Sequence, residues 1–466
     1  MQQIVPKPEL LYYVIAYFAI MVIMGAYFSK KIKSSDDYAL AGRSLGPIVL
    51  MGTLMATSVG SGTVTGGGNS LAYNFGYWAG VLWIVPYLVV CPTYYFIYMK
   101  IRKTGRYTVP QILGDTYGHE TRLLGSIINL IGLAGIISYQ YRGLGFILNI
   151  TTGINVETAT IISTAVIIAI SIFGGLFSVA YTDAFGAFVI VFCCLLGVPF
   201  VISAGGGWAN IIAAVDPVKL TFTGGRQWFT IIGGYLPLII LLLGDQNFYQ
   251  RISAAKNDSI ARASTVGWAV LTTLAIPCVA IVAFTGLSMF GTNIQAGMAF
   301  MSMTTVVPTV IGGLLLAAAA SFIVTTGTSY LLSSATSITY DFYVTYINKQ
   351  PTDRQTLFMT RWATPAIGVV AYIILQFFPT VLAVQNWSYT MIGASITPVV
   401  LAALLWKNVT RIAGFLSMAV GVSTTLVWEL MGLPGGIASA LISFPAAVIV
   451  LVVISLITQP RNVVTN

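Results

Sequence analysis

Charge is what this chain has least of. Asp, Glu, Lys and Arg together make up 8% of it, against about 25% in soluble domains. With 57% hydrophobic residues and a mean hydropathy of +0.88, that deficit excludes a soluble globular domain and implies many membrane spans. Histidine is almost absent, His119 standing alone. The four cysteines, Cys91, Cys193, Cys194 and Cys278, lie in apolar segments without ligand spacing, so neither a zinc site nor a disulfide framework is expected. The net charge of +9 does not point to nucleic acid, because the basic residues sit in short loops between apolar runs. No loop is long enough for a soluble domain. The leading MQQIVPKPEL has no basic stretch before its apolar run, so no cleaved signal peptide is expected. No nucleophile–base pair is visible, and an enzyme is not expected.

What the chain does have is apolar runs. A spanning helix needs about 20 mostly apolar residues. Thirteen segments qualify: 10–29, 46–72, 75–99, 123–152, 156–178, 183–204, 227–249, 262–290, 308–340, 362–379, 381–406, 411–431 and 434–458. Loops on the inner side of a membrane collect Lys and Arg. With the N-terminus outside and the C-terminus cytoplasmic, 18 of the 22 basic residues fall inside, Arg251 among them. Lys7, Lys219 and Arg226 then fall outside, and Arg142 lies within a span. The expected location is the inner (plasma) membrane.

Three spans stand out, two by interruption and one by a polar stripe. The run LMATSVGSGTVTGGG (54–68) carries hydroxyls at Thr57, Ser58, Ser61, Thr63 and Thr65, and glycines at 60, 62, 66, 67 and 68. Glycine weakens a helix interior, and an unpartnered backbone group in hydrocarbon costs several kcal/mol. The run reads as a break whose oxygens form a pocket for a small hard cation, with close helix packing by small residues as the alternative. In 318–340, Ser321, Thr325, Thr328, Ser329, Ser333 and Thr336 share one helical face, with Thr326 at its edge. Hydroxyls bonded back to their own helix would explain that stripe without a ligand. The span 227–249 carries Gly233 and Gly234 ahead of LLLGDQNFYQR. If 46–204 and 227–406 are five-span halves, the odd count inverts one relative to the other. Interrupted helices in matching positions of inverted halves mark a transporter's midplane site.

Five motifs carry a resemblance: AGRSLGP (41–47), GRYTVPQILGDTYG (105–118), GGLFSVAYTDAFG (174–186), FIVTTGTSYLLSSATSITYDFY (322–343) and TPVVLAALLW (397–406). In these, residues 10–406 resemble the sodium/solute symporter family, which includes bacterial proline, sialic acid and sugar symporters; Gly186 stands where that family commonly has Gln. The resemblance implies an all-α, leucine-transporter-like membrane fold of about 13 helices. One helix (10–29) would precede two inverted five-helix repeats (46–204 and 227–406), with two helices (411–458) after them. Carried over by position, it implies a sodium ion (Na+) held by the carbonyls of Ala56, Val59 and Phe322 and the hydroxyls of Thr325 and Thr326. A second sodium, as in the sialic acid branch, would lie at Asp183, Thr325, Thr328 and Ser329, unless Asp183 merely caps its helix.

The same resemblance implies that solute meets Ser58, Gly60, Thr63, Asn74, Tyr77, Trp78, Gln140, Arg142, Asp245, Asn247 and Thr390. An intramembrane charge faces a partner or a cavity. Arg142 and Asp245 therefore either pair with each other or grip a carboxylate and an amine. The second possibility favours a small carboxylate or amino acid over a sugar, vitamin or nucleobase. The expected activity is sodium-coupled import of a small polar solute by alternating access. A proton-coupled or uncoupled carrier, a channel and a sensor are the alternatives. Expected partners are sodium, the solute and the lipid bilayer, with no nucleic acid and no obligatory protein partner.

Overall fold

The computed structural model describes residues 5–172 and 174–459. Among them every extended element is a helix, the sole strand-like feature being an isolated bridge between Leu45 and Ala255. Hydrocarbon permits little else, because a helix satisfies its backbone hydrogen bonds within one segment.

In chain order, α1 (Glu9–Ser29) precedes a bent pair, α2 (Pro47–Ser58) and α3 (Gly67–Phe75), joined through a π-helical turn at Gly62–Gly66. The arms Pro47–Ser58 and Gly62–Phe75, the second including the π turn, are inclined by 49°. There follow α4 (Tyr77–Thr104), α5 (His119–Thr152), α6 (Val156–Ile172) and α7 (Leu176–Ala204). A second interrupted pair is α8 (Trp228–Gly244) and α9 (Gln246–Ser253). Then come α10 (Asp258–Phe290), α11 (Thr309–Ile347), α12 (Asp353–Leu375), α13 (Val381–Leu405), α14 (Arg411–Leu430) and α15 (Ala440–Thr458). Counting α8 with α9, 11 helices are long and apolar enough to span, and the α2/α3 pair makes a twelfth. The expected span 156–178 corresponds to α6, which is apolar but only 17 residues long.

Burial separates the centre from the rim. In α11, 89% of the apolar window is buried, and in α13 78%, against 22% in α1 and 28% in α15. Helix α11 packs against α1, α2, α5 and α7, while α13 packs against α5, α8 and the π turn. The polar runs of the sequence therefore lie on the most enclosed helices, where protein groups rather than lipid face them.

Candidate ion and solute site

The site begins where α2 stops. Val59 (φ −111°, ψ 81°) leaves the helix. The amides of Thr63 and Val64 turn back onto the Gly60 carbonyl (2.8 and 3.2 Å), which takes the Val59 carbonyl out of the ladder. Side chains from other helices repair the rest. Tyr87 donates to the Ser58 carbonyl (3.0 Å), the Ser61 amide donates to Gln140 Oε1 (3.0 Å), and the Gly67 amide donates to Gln385 Oε1 (3.2 Å).

Helix α11 meets this break with two hydroxyls. Thr325 Oγ1 lies 3.1 Å from the Ala56 carbonyl and 2.6 Å from that of Ser321. Thr326 Oγ1 lies 2.9 Å from the Ala56 carbonyl and 3.2 Å from that of Thr57. Gly60 permits the approach, since a Cβ there would stand 2.4 Å from Thr326 Oγ1. The fold thus brings Ala56, Thr325 and Thr326 together beside the freed Val59 carbonyl. Phe322 is buried about one turn earlier on α11. These groups are all hard oxygens, the donor set a sodium ion needs.

The second expected set is arranged differently. Asp183 is fully buried in the interior of α7 and caps nothing; the helix N-cap is Gly175. Its Oδ2 accepts from Thr53 Oγ1 (2.7 Å), Ser329 Oγ (3.1 Å), Thr57 Oγ1 (3.3 Å) and Arg251 Nη2 (3.2 Å). Thr328 instead donates to the carbonyls of Val324 and Thr325 on its own helix. Arg251 was expected in an inner loop. It is fully buried on α9, because the chain re-enters the protein as a short polar helix after the break.

The expected solute residues divide into groups. Ser58, Gly60, Thr63 and Gln140 surround the α2 break and are buried, while Thr390 lies on α13 and donates back to the Asn386 carbonyl. Asn74 and Arg142 instead line a cavity of about 390 Å³ with Thr65, Ser70, Phe146 and Gln295. Tyr77 and Trp78 stand at the start of α4 in an aromatic cluster with Trp208, Phe222 and Phe284, away from the break. Arg142 does not pair with Asp245, contrary to one expectation. It pairs with Glu157 at the start of α6 (3.2 Å). Asp245 holds the second break instead: it caps α9 by accepting from the Asn247 amide (3.0 Å), and it accepts from Tyr330 Oη (2.7 Å). Asn247 Oδ1 accepts from Ser333 and Arg251.

Several lining groups escaped the sequence reading. Trp268 Nε1 donates to Ser58 Oγ (2.9 Å), and Tyr139 and Tyr389 share a hydroxyl contact of 3.0 Å. Gln385 closes the other side of the break, its Nε2 buried and unpartnered. The available signal was polar atoms on otherwise apolar helices: buried Tyr and Trp usually use theirs.

The sequence profile described as "Sodium:solute symporter family" matches residues 38–421. The chain is similar to the "High-affinity proline transporter PutP" of Bacillus subtilis (strain 168), with 28% identity covering 96% of this chain and 98% of that protein. It is also similar to the "Osmoregulated proline transporter OpuE" of the same organism, with 25% identity covering 95% and 94%. Among solved structures it matches a Na+-coupled sialic acid symporter in a substrate-bound outward-open state, with TM-score 0.82 and 16% identity over 96% of this chain and 97% of that one. That likeness shows the fold, which is leucine-transporter-like. The chain belongs to the sodium:solute symporter family: it is a multi-pass carrier of the plasma membrane, not an enzyme, and it couples solute movement to sodium.

Proposed function

We propose that this carrier imports a small amino acid, proline first among candidates, with sodium bound between α2 and α11. The observation that carries the reading is the convergence of both α11 threonine hydroxyls on the Ala56 carbonyl at the helix break. Sodium would take the oxygens of Ala56, Val59, Phe322, Thr325 and Thr326 and hold α2 against α11. Solute bound beside the same break gains from that ordering, and sodium must gain equally from solute. Ser58, Gly60, Thr63, Gln140 and Thr390, joined by Tyr139, Gln385 and Tyr389, would form the solute pocket. Asn74 and Arg142 would act in the cavity leading to it. The named relatives support an amino acid over a sugar or nucleobase. The repeat boundaries 46–204 and 227–406, and a cytoplasmic C-terminus, belong to the same proposal.

The test is labelled-proline uptake into proteoliposomes under an imposed sodium gradient, with sugars, nucleobases and other amino acids as competitors. Thr325→Ala and Thr326→Ala should each raise the sodium concentration for half-maximal uptake about tenfold, the effect of losing ~1.4 kcal/mol of ion binding. Proline affinity at saturating sodium should change less. Sodium dependence unchanged in both variants would remove the ion from this position, and failure of proline to compete would remove it as the solute.

A further inference from the structure

The position expected for a second sodium ion already holds a cation. We infer that Arg251 is the permanent occupant of that position, a specificity-determining residue that restricts the carrier to one coupled sodium ion. The coupling half of this statement rests on the symport reading above; the occupied position rests on geometry alone.

Both members of the Arg251–Asp183 pair have fully buried side chains. The guanidinium is engaged on every nitrogen. Nε donates to Thr53 Oγ1 (2.9 Å), Nη2 to Ser329 Oγ (2.6 Å) and Asp183 Oδ2 (3.2 Å), and Nη1 to Asn247 Oδ1 (3.1 Å) and to the Asn247 carbonyl (3.4 Å). Thr53 and Ser329 thus each accept from arginine and donate to the aspartate. Sodium binds lone pairs, and here the lone pairs face the guanidinium while the hydroxyl hydrogens face the carboxylate. Of the two remaining expected ligands, Thr328 is turned onto its own helix, and Thr325 onto the Ser321 carbonyl of its own helix and the Ala56 carbonyl of α2. Asp183 Oδ1 has no partner. An ion there would still stand beside an arginine on the sister oxygen, placing two positive charges against one negative in a fully buried cluster, where repulsion is poorly screened. Arginine cannot lose its proton to make room. The residue types that would cradle a second sodium are present, and the structure has filled the cradle from within.

A buried ion pair is by itself weak evidence for any role beyond packing, so the test must separate an occupied ion position from a clamp. The measurement is equilibrium binding of radioactive sodium to the purified full chain in potassium buffer, paired with melting temperature against sodium concentration. Arg251→Ala should bind one sodium ion more than the wild type, and its melting temperature should rise with sodium more steeply. Asp183→Asn added to it should abolish both gains, and Arg251→Lys, which keeps a positive charge beside Asp183, should show neither. If the wild type binds two ions and Asp183→Asn removes one, the inference is overturned. It is equally overturned if Arg251→Ala loses stability that sodium does not restore and gains no ion. Should Arg251→Ala fail to fold even in sodium, the double variant Arg251→Met with Asp183→Leu removes both charges. It should fold and bind the wild-type number of ions, and one ion fewer would overturn the inference. A wild type that binds no sodium would count against the symport reading alone, since the gain in Arg251→Ala is measured relative to it.

Discussion

At the scale of single residues, the contact between Gly60 and Thr326 is the tightest constraint on the ion position. A methyl group at position 60 would meet the threonine hydroxyl at 2.4 Å and its Cβ at 2.7 Å. Both belong to a short β-branched side chain on a packed helix, so Thr326 must leave the Ala56 carbonyl. Gly60→Ala should therefore raise the sodium concentration for half-maximal uptake about tenfold or more, as expected for overpacking worth 1–3 kcal/mol. Gly234→Ala is the control, because a Cβ there meets nothing within 4 Å; it should leave sodium dependence alone. Equal effects of the two substitutions would refute the steric argument. The α2 break was legible because glycines weaken a helix and buried hydroxyls need partners, and both stand out in an apolar run. Arg251 was not. Hydropathy assigns a basic residue at the polar end of a span to a loop, and only the tertiary fold reveals that Thr53, Asp183, Asn247 and Ser329 surround it.

At the scale of elements, the two interrupted helices are held open by different chemistry. The α2 break is repaired by side chains from α4, α5 and α13, whereas the α8/α9 break is closed by Asp245 as an N-cap, with Tyr330 of α11 donating to its second oxygen. Tyr330→Phe removes that donor without changing the packed ring. A buried acceptor losing a partner costs about 1–3 kcal/mol, so the melting temperature of the purified protein should fall by several degrees, and sodium should not restore it. An unchanged melting temperature would mean that Tyr330 does not support the break. The hydroxyl stripe of α11 was visible as a pattern, yet its residues follow two physical courses. Thr325, Thr326, Ser329 and Ser333 reach across to α2, α7 and α9, while Thr328 and Thr336 bond to their own helix carbonyls. Helical periodicity places all of them on or near one face. What lies opposite each is a property of the neighbours, which periodicity does not contain.

At the scale of the whole molecule, the proposed orientation, argued from the distribution of basic residues, is open to labelling. Cys193, Cys194 and Cys278 are buried and Cys91 is partly so, which leaves a low background for introduced thiols. In intact cells a membrane-impermeant maleimide should label Val218→Cys and not Lys349→Cys, which should react only after permeabilisation; the opposite pattern would invert the molecule. The span count and helix order were readable because hydrocarbon imposes a length and an apolar composition. The cavity lined by Asn74 and Arg142 was not, because it is made where α3, α5 and α13 diverge rather than by any one segment. The Arg251–Asp183 pair sets a ceiling on accumulation. A tenfold sodium gradient contributes about 1.4 kcal/mol and 100 mV about 2.3 kcal/mol per ion. One ion can then sustain a neutral solute at roughly 500-fold above its outside concentration, and two ions at roughly 300,000-fold. A carrier whose second ion is an arginine admits half as much sodium for each molecule it delivers. It is suited to filling a cell from a supplied medium rather than to stripping the last traces from a depleted one.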